Sequence, residues 1–385
     1  MAWEMVELGE ILEQQKDSVY VSDPLKAKLI SVQLYGKGAV RRKTTPEKAP
    51  SPFKGFRGRA DQIVYSRIWA RRGAVAVIPP ELDGVVVTNE FPLFNANAKH
   101  LDTAYFSALT RSDLLAQQLE LAADGTSGQN RVKVDRFLEI KIPLPPLAEQ
   151  RRIAMILDEA QSAVSEQQQS CDSLISLEAN IAQQSLMHAE KTLPLEELAD
   201  LQGGLTLNKK RASNPIEVDY LRVGNVQRGE LELDLVKTIR CTEKEVERCA
   251  LQKGDILIVE ANANPFEVGR AAQVPDLENT TVYQNHLFRA RPHDDVDANY
   301  LEQAINSWDV RRQLAGLAKT TSGLNGFSIS QARRLKVPAL GTHGQQKLSA
   351  AVEQIRLVQK QNTGKLHLLQ ELYSSLSARA FAREL

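Results

Sequence analysis

The sequence predicts an α/β (α+β) chain: two pseudo-symmetric globular domains separated by two long antiparallel coiled-coil spacer helices. Three observations carry this reading. First, Thr126-Ser127-Gly128-Gln129-Asn130 returns 195 residues later as Thr321-Ser322-Gly323-Leu324-Asn325. Second, the same ungapped offset pairs Ile142-Pro143 with Val337-Pro338, Gln150 with Gln345 and Ile153 with Leu348. Third, each copy then runs into a long polar-apolar segment of helical character. A solenoid unit recurs every 20–50 residues or so, so this period marks a duplicated domain.

The first domain is placed at residues 1–145. Ile63-Val64-Tyr65, Ala74 to Ile78 and Val85 to Thr88 are β-prone runs, the second closed by Pro79-Pro80. Asp102 to Leu121 reads as one helix, with Asp102 as N-cap and Tyr105, Phe106, Leu109, Leu114, Leu115 and Leu119 on its apolar face. A polar loop from Asp124 to Asn130 follows. Prolines 143, 145 and 146 then exclude helix interior and central strand, and give a stiff, extended lead into the next element.

The central spacer is placed at 146–190. From Ala148 to about Glu190 there is neither Pro nor Gly. At 1.5 Å per residue this helix of about 40 residues spans about 60 Å, so it needs an equally long partner. The second domain, 191–338, repeats the plan. Pro194 to Leu201 corresponds to Glu7 to Leu12, and Gly254 to Ile258 to Ala60 to Val64 within a residue, while Asp297 and Tyr300 match Asp102 and Tyr105. The second junction, Val337-Pro338-Ala339-Leu340-Gly341, lacks the later prolines, which predicts a looser joint. The C-terminal spacer, 339–385, is interrupted by Gly344 and Gly364.

The helices share a seam. Ile153, Leu157, Ala160, Val164, Gln167, Cys171, Leu174, Glu178 and Ile181 alternate in steps of four and three. Adding the offset gives Leu348, Val352, Ile355, Gln359, Asn362, Leu366, Leu369, Tyr373 and Leu376. Gln167 and Asn362 form a matched polar layer, the kind that fixes register. The seam predicts that the helices pair with each other, antiparallel.

Charge is balanced, 48 basic against 48 acidic residues, but unevenly spread. Between Lys37 and Arg72 stand Lys37, Arg41, Arg42, Lys43, Lys48, Lys54, Arg57, Arg59, Arg67, Arg71 and Arg72, against Glu47 and Asp61 alone. Phe53, Phe56 and Trp69 interleave, and Gly38, Gly55 and Gly58 suit close backbone approach to a phosphate. Arginines clamp phosphate and read guanine edges. In the second domain the candidates are scattered: Lys209, Lys210, Arg211, Arg222, Asn225, Arg228 and Arg270. Hydroxyls and amides of Thr126, Ser127, Asn130, Thr321, Ser322 and Asn325 complete the candidate DNA-binding set. The alternative for these loops is a plain turn.

No catalytic constellation is present. There is no GxxxxGK or GxGxxG cradle, and the six histidines show no metal spacing. Asn264-Pro265-Phe266 lacks the second proline of the amino-methyltransferase motif. Cys171, Cys241 and Cys249 are expected to be reduced thiols. With no apolar run of membrane-span length and no signal-peptide pattern, a cytoplasmic, membrane-free protein is expected.

The segment Lys141-Ile142-Pro143-Leu144-Pro145-Pro146-Leu147-Ala148-Glu149-Gln150-Arg151-Arg152-Ile153 resembles the junction signature of specificity subunits of type I restriction-modification enzymes (S subunits, HsdS). Asp61 to Ile68, Thr88 to Pro92 and Gly254 to Ile258 are similar to family segments as well, so the likeness covers nearly the whole chain. The resemblance implies two target recognition domains, each reading one half of a bipartite, asymmetric double-stranded DNA sequence. It implies two methyltransferase (M) subunits docked on the helices, joined in cutting systems by two restriction (R) subunits. S-adenosylmethionine, Mg and ATP then belong to those partners, and this chain holds no cofactor or metal and is not itself an enzyme. Two rival readings are a recognition subunit of a methylation-only system, and a coiled-coil scaffold for proteins with no DNA role.

Overall fold

The computed structural model describes residues 3–123, 131–317, 319–321 and 324–385, with no side-chain account for 319–321 and 324. The chain divides into two compact units, Met1–Gln168 with Gly364–Leu385, and Gln169–Thr363. The division points lie 195 residues apart, the period of the sequence repeat.

In the first unit an antiparallel sheet runs in the order Leu12–Gln15, Leu93–Ala96, Ile63–Tyr65, Val75–Val77. Its central strand is β-branched or aromatic throughout and wholly buried. The Tyr65 ring stacks on Phe137 at 4.2 Å, and Phe94 closes the cluster. A second sheet, Ser18–Val21, Phe53–Gly58 and Val85–Val87, continues through a parallel bridge from Val86 to Leu29 into the hairpin Ile30–Val32/Ala39–Arg41. The three β-prone runs fall in strands. The single helix expected over Asp102–Leu121 is instead two, Thr103–Leu109 and Asp113–Leu121. Hydroxyls break it: Thr110 Oγ1 donates to the Ser107 carbonyl at 2.7 Å, Ser112 Oγ donates to that of Leu109 at 2.7 Å, and Ser112 then caps the next helix.

The second unit repeats the four-stranded order with Ala199–Gly203, Leu287–Pro292, Ile256–Val259 and Ala271–Gln273. Beside it lie Lys237–Cys241, Ile216–Leu221 and Thr281–Tyr283, the last two strands parallel. Cys241 and Cys249 are buried in this unit, and burial pushes both thiols up.

Both units build the junction to their long helix with the same bonds at the same offset. Lys141–Pro143 pairs with Met5–Glu7, and Lys336–Ala339 with Lys191–Pro194. Tyr105 donates its hydroxyl to the Pro143 carbonyl at 2.7 Å, and Tyr300 to that of Pro338 at 2.6 Å. Gln118 accepts from Lys141 N at 2.9 Å, and Gln313 from Lys336 N at 3.0 Å. Gln150 accepts from Asp102 N and donates to the Pro145 carbonyl, both at 2.8 Å; Gln345 accepts from Asp297 N and donates to the Leu340 carbonyl, both at 2.9 Å. The second junction therefore keeps the first one's bonds despite its missing prolines. The acceptors are backbone carbonyls, which any residue supplies.

The long helices are Leu147–Leu186 and Thr342–Ala382. Every residue of the predicted seam is buried or half-buried. In the first unit Ile153 and Leu157 pack with Tyr373, Leu376, Ala380 and Phe381, and Arg152 donates to the Leu385 carbonyl at 3.0 Å. In the second unit Ala182 and Leu186 pack with Leu348 and Val352, while Ser170 Oγ meets Asn362 Oδ1 at 3.3 Å. Rising numbers on one helix meet falling numbers on the other in both units, so the pairing is antiparallel.

Each helix pair is also tied to its sheet domain by polar groups, and these differ. In the second unit Arg356 bonds the wholly buried Glu302 and reaches Glu178 at 3.0 Å. Glu178 also accepts from Gln303 at 2.7 Å and Gln359 at 3.0 Å. Burial pushes the Glu302 carboxyl up, and Arg356 pulls against it. In the first unit Arg111 spans Asp158 at 3.2 Å and the Tyr373 hydroxyl at 3.0 Å.

Candidate nucleic-acid interface

The basic stretch is loop and short 3-10 turns around three strands, Ala39–Arg41, Phe53–Gly58 and Ile63–Tyr65. Lys37, Arg41, Arg42, Lys43, Lys54, Arg57, Arg59, Arg71 and Arg72 are all exposed. Arg59 reaches Asp17 at 3.7 Å and Arg72 lies over the Trp69 ring at 5.7 Å. Lys37, Arg41, Arg42, Lys43, Lys54 and Arg57 have no side-chain partner among the described residues.

The sheet gathers some of these cations. Arg57 is paired with Val86, Val86 is bridged to Leu29, and Arg42 donates its N–H to the Leu29 carbonyl at 2.8 Å. One row of residues thus crosses four strands with an arginine at each end. Three strand spacings put those backbones about 14 Å apart, near the width of a DNA major groove. Arg41 follows at the edge, opposite Ile30.

Two glycines have a different purpose from the one expected. A Cβ on Gly55 would lie 2.5 Å from the Val87 carbonyl, and one on Gly58 would lie 2.9 Å from Ile78 Cδ1. They permit sheet packing, not phosphate approach. Gly38, at φ 87°, has open space around it. Phe53 and Phe56 are half-buried against small apolar clusters, whereas Trp69 is exposed.

The second-domain candidates divide differently. Lys209 and Lys210 are exposed on a 3-10 turn capped by Asn208. Arg211 is engaged within the fold. It holds Glu245 with two bonds of 3.1 and 2.9 Å and donates to the Thr206 carbonyl at 2.6 Å. Arg270 donates to the Val226 and Val223 carbonyls at 2.6 and 3.1 Å. Arg228 donates to Asn306 and to the Phe266 carbonyl, at 3.1 and 3.0 Å, and burial lowers its pKa to about 10. Asn225 is buried and donates to the Glu232 and Leu235 carbonyls at 2.8 and 3.2 Å. These four side chains hold turns together, and their donors point inward. Arg222 is half-buried, with an Nε that meets no acceptor among the described residues.

Thr126, Ser127, Asn130 and Ser322 lie outside the described residues. The backbone of Thr321 ends a strand, Lys319–Thr321, that pairs with Leu324–Gly326. Asn325 sits opposite Asn262 and donates to the Ala263 carbonyl at 3.0 Å. The loop thus returns into a small sheet.

The sequence profile of the type I restriction modification DNA specificity domain matches residues 2–170. Within residues 2–170 the chain is similar to that specificity family. It is 27% identical over 313 residues to the type I restriction enzyme EcoKI specificity subunit of Escherichia coli strain K12. That alignment takes in 74% of this chain and 66% of the relative, just under two thirds of its length. A chain from the structural study of complex assembly and conformational transition of the type I R-M system superposes with a TM-score of 0.59 at 17% identity, over 100% of this chain and 98% of that one. The type-I restriction-modification system S subunit from M. genitalium superposes with a TM-score of 0.57 at 16% identity, over 99% and 96%. These two likenesses bear on the fold.

For a specificity domain, some exposed groups escaped the sequence reading. Tyr20 is exposed opposite Lys54, and Tyr35 is exposed beside Lys37. Their aromatic type next to a base was the available signal. Among the described residues no group of His, Cys, Asp and Glu could hold a metal ion, and no helix is long and apolar enough to cross a membrane.

Proposed function

We propose that this chain is the DNA-recognition subunit of a type I restriction-modification complex. Residues 1–145 and 191–338 are target recognition domains, each reading one half of a bipartite, asymmetric duplex sequence. Residues 146–190 and 339–385 are spacers that set the gap between half-sites and dock two methyltransferase subunits. S-adenosylmethionine chemistry belongs to those partners, with Mg and ATP on restriction subunits where the system cuts. The chain itself contributes binding and no catalytic group, and it works in the cytoplasm.

One observation carries the reading. The two units share their junction bonds residue for residue, yet present unlike surfaces. Arg41, Arg42 and Arg57, exposed and without side-chain partners among the described residues, characterise the first, while Arg211 and Arg270 of the second are turned inward. A common frame with different faces suits a reader of two different sequences. The test is to map modified bases in DNA from cells expressing the chain with its methyltransferase, then measure duplex binding by that complex. A bipartite motif bound with salt-dependent affinity is expected. Binding with no sequence preference and no salt dependence would leave the protein-scaffold reading standing.

A further inference from the structure

Tyr35 adopts a backbone conformation that an aromatic residue rarely takes. Its φ is 59°, in the left-handed region that Gly and Asn occupy with less strain. Its side chain is 66% exposed, so no core packing explains the residue.

The surroundings hold it there. Tyr35 N–H donates to the Arg72 carbonyl at 2.7 Å and Gly36 N–H to that of Gly73 at 2.9 Å. Gln33 N–H closes the turn onto the Gly38 carbonyl at 2.8 Å. A Cβ on Gly36 would lie 2.3 Å from the Thr110 carbonyl, so the turn is seated against backbone as well. The segment it docks on carries Trp69, 49% exposed, with the Arg72 guanidinium over its ring. Lys37 stands two residues on, exposed and without a side-chain partner among the described residues.

We propose that Tyr35 is a duplex-contacting residue of the first domain, an aromatic wedge that enters the target at one base step while Lys37 and Arg72 hold flanking phosphates. Backbone strain persists where the surroundings over-determine it, and such residues cluster at ligand contacts and switch regions. Apolar and aromatic wedges between base steps are a known way to read a duplex through the cost of unstacking it. The inference rests on the DNA-recognition reading above.

The experiment uses the full chain with its methyltransferase subunits. The duplexes carry the motif found from modified bases, with 2-aminopurine placed at successive positions of the first half-site. Wild type should raise the fluorescence at one step. Tyr35→Asn should abolish that signal and weaken specific binding roughly 10-fold. Its melting temperature should stay level or rise, because Asn tolerates the left-handed region. Tyr35→Phe should keep signal and affinity. Wild-type affinity for Tyr35→Asn overturns the proposal, as does binding lost together with thermal stability, or binding weakened with no 2-aminopurine signal in wild type. Wild type that binds without sequence preference would instead sink the DNA-recognition reading itself.

Discussion

Replacing Arg41, Arg42 and Arg57 together with Gln tests the first domain's DNA face quantitatively. All three are exposed, and none has a side-chain partner among the described residues, so no internal bond is lost. Each phosphate contact removed lowers the slope of log affinity against log salt by about 0.9, so three contacts lower it by about 2.7. Over a fourfold rise from about 50 to about 200 mM salt, that share of the slope is worth about 40-fold in affinity. The variant complex should therefore bind less tightly at low salt and lose affinity more gently as salt rises. Fluorescence anisotropy on a labelled duplex measures both. Arg211→Gln is the control. Its guanidinium is committed to Glu245, so it should lose about 2 kcal/mol of stability through its charged hydrogen bonds while the salt slope holds. A triple variant with the wild-type slope would refute the assignment of this row to phosphate contact, and a flattened slope for Arg211→Gln would refute the sorting of the arginines.

Gln150→Ala leaves the Asp102 N–H and the His100 and Pro145 carbonyls without their partner, and should cost about 1–3 kcal/mol by urea denaturation, with Gln345→Ala showing a similar loss. Arg356→Met strands the buried Glu302 and should cost about 3–5 kcal/mol; adding Glu302→Gln should recover part of it, and failure to recover would mean the pair is not coupled. Gly364 lies inside the second long helix with nothing within 4 Å of an added Cβ, so Gly364→Ala should stabilise the chain by about 1 kcal/mol, read as a higher melting temperature.

The frame was legible because periodicity and pairing are local in kind. The seam follows from steps of four and three, and the strands from short β-branched runs. The break at Thr110–Ser112 escaped because hydroxyls that bond back to the helix look like ordinary helix residues until their rotamers are known. The site was less legible. A basic residue in sequence carries no label for its partner. Arg211 finds Glu245 at a separation of 34 residues, and Arg270 finds two carbonyls at 44 and 47. Arg41, Arg42 and Arg57 have nearly the same sequence character and no such partner among the described residues. Glycines misled in the same way: Gly55 and Gly58 answer to Val87 and Ile78, which stand some 20 to 30 positions further along.

Each globular region closes on itself through a two-stranded clasp, Met5–Glu7 with Lys141–Pro143 and Lys191–Pro194 with Lys336–Ala339. The chain leaves each region beside the point where it came in. The entropy of closing a long loop grows only slowly with its length, and here the clasp fixes that closure whatever lies between. Intervening segments other than those carrying the junction bonds of Asp102, Tyr105 and Gln118 can be lengthened, shortened or exchanged without disturbing the clasp. Recombination with breakpoints in the clasp strands would hand the molecule a new surface in a single genetic event, with no need to evolve a new scaffold to carry it.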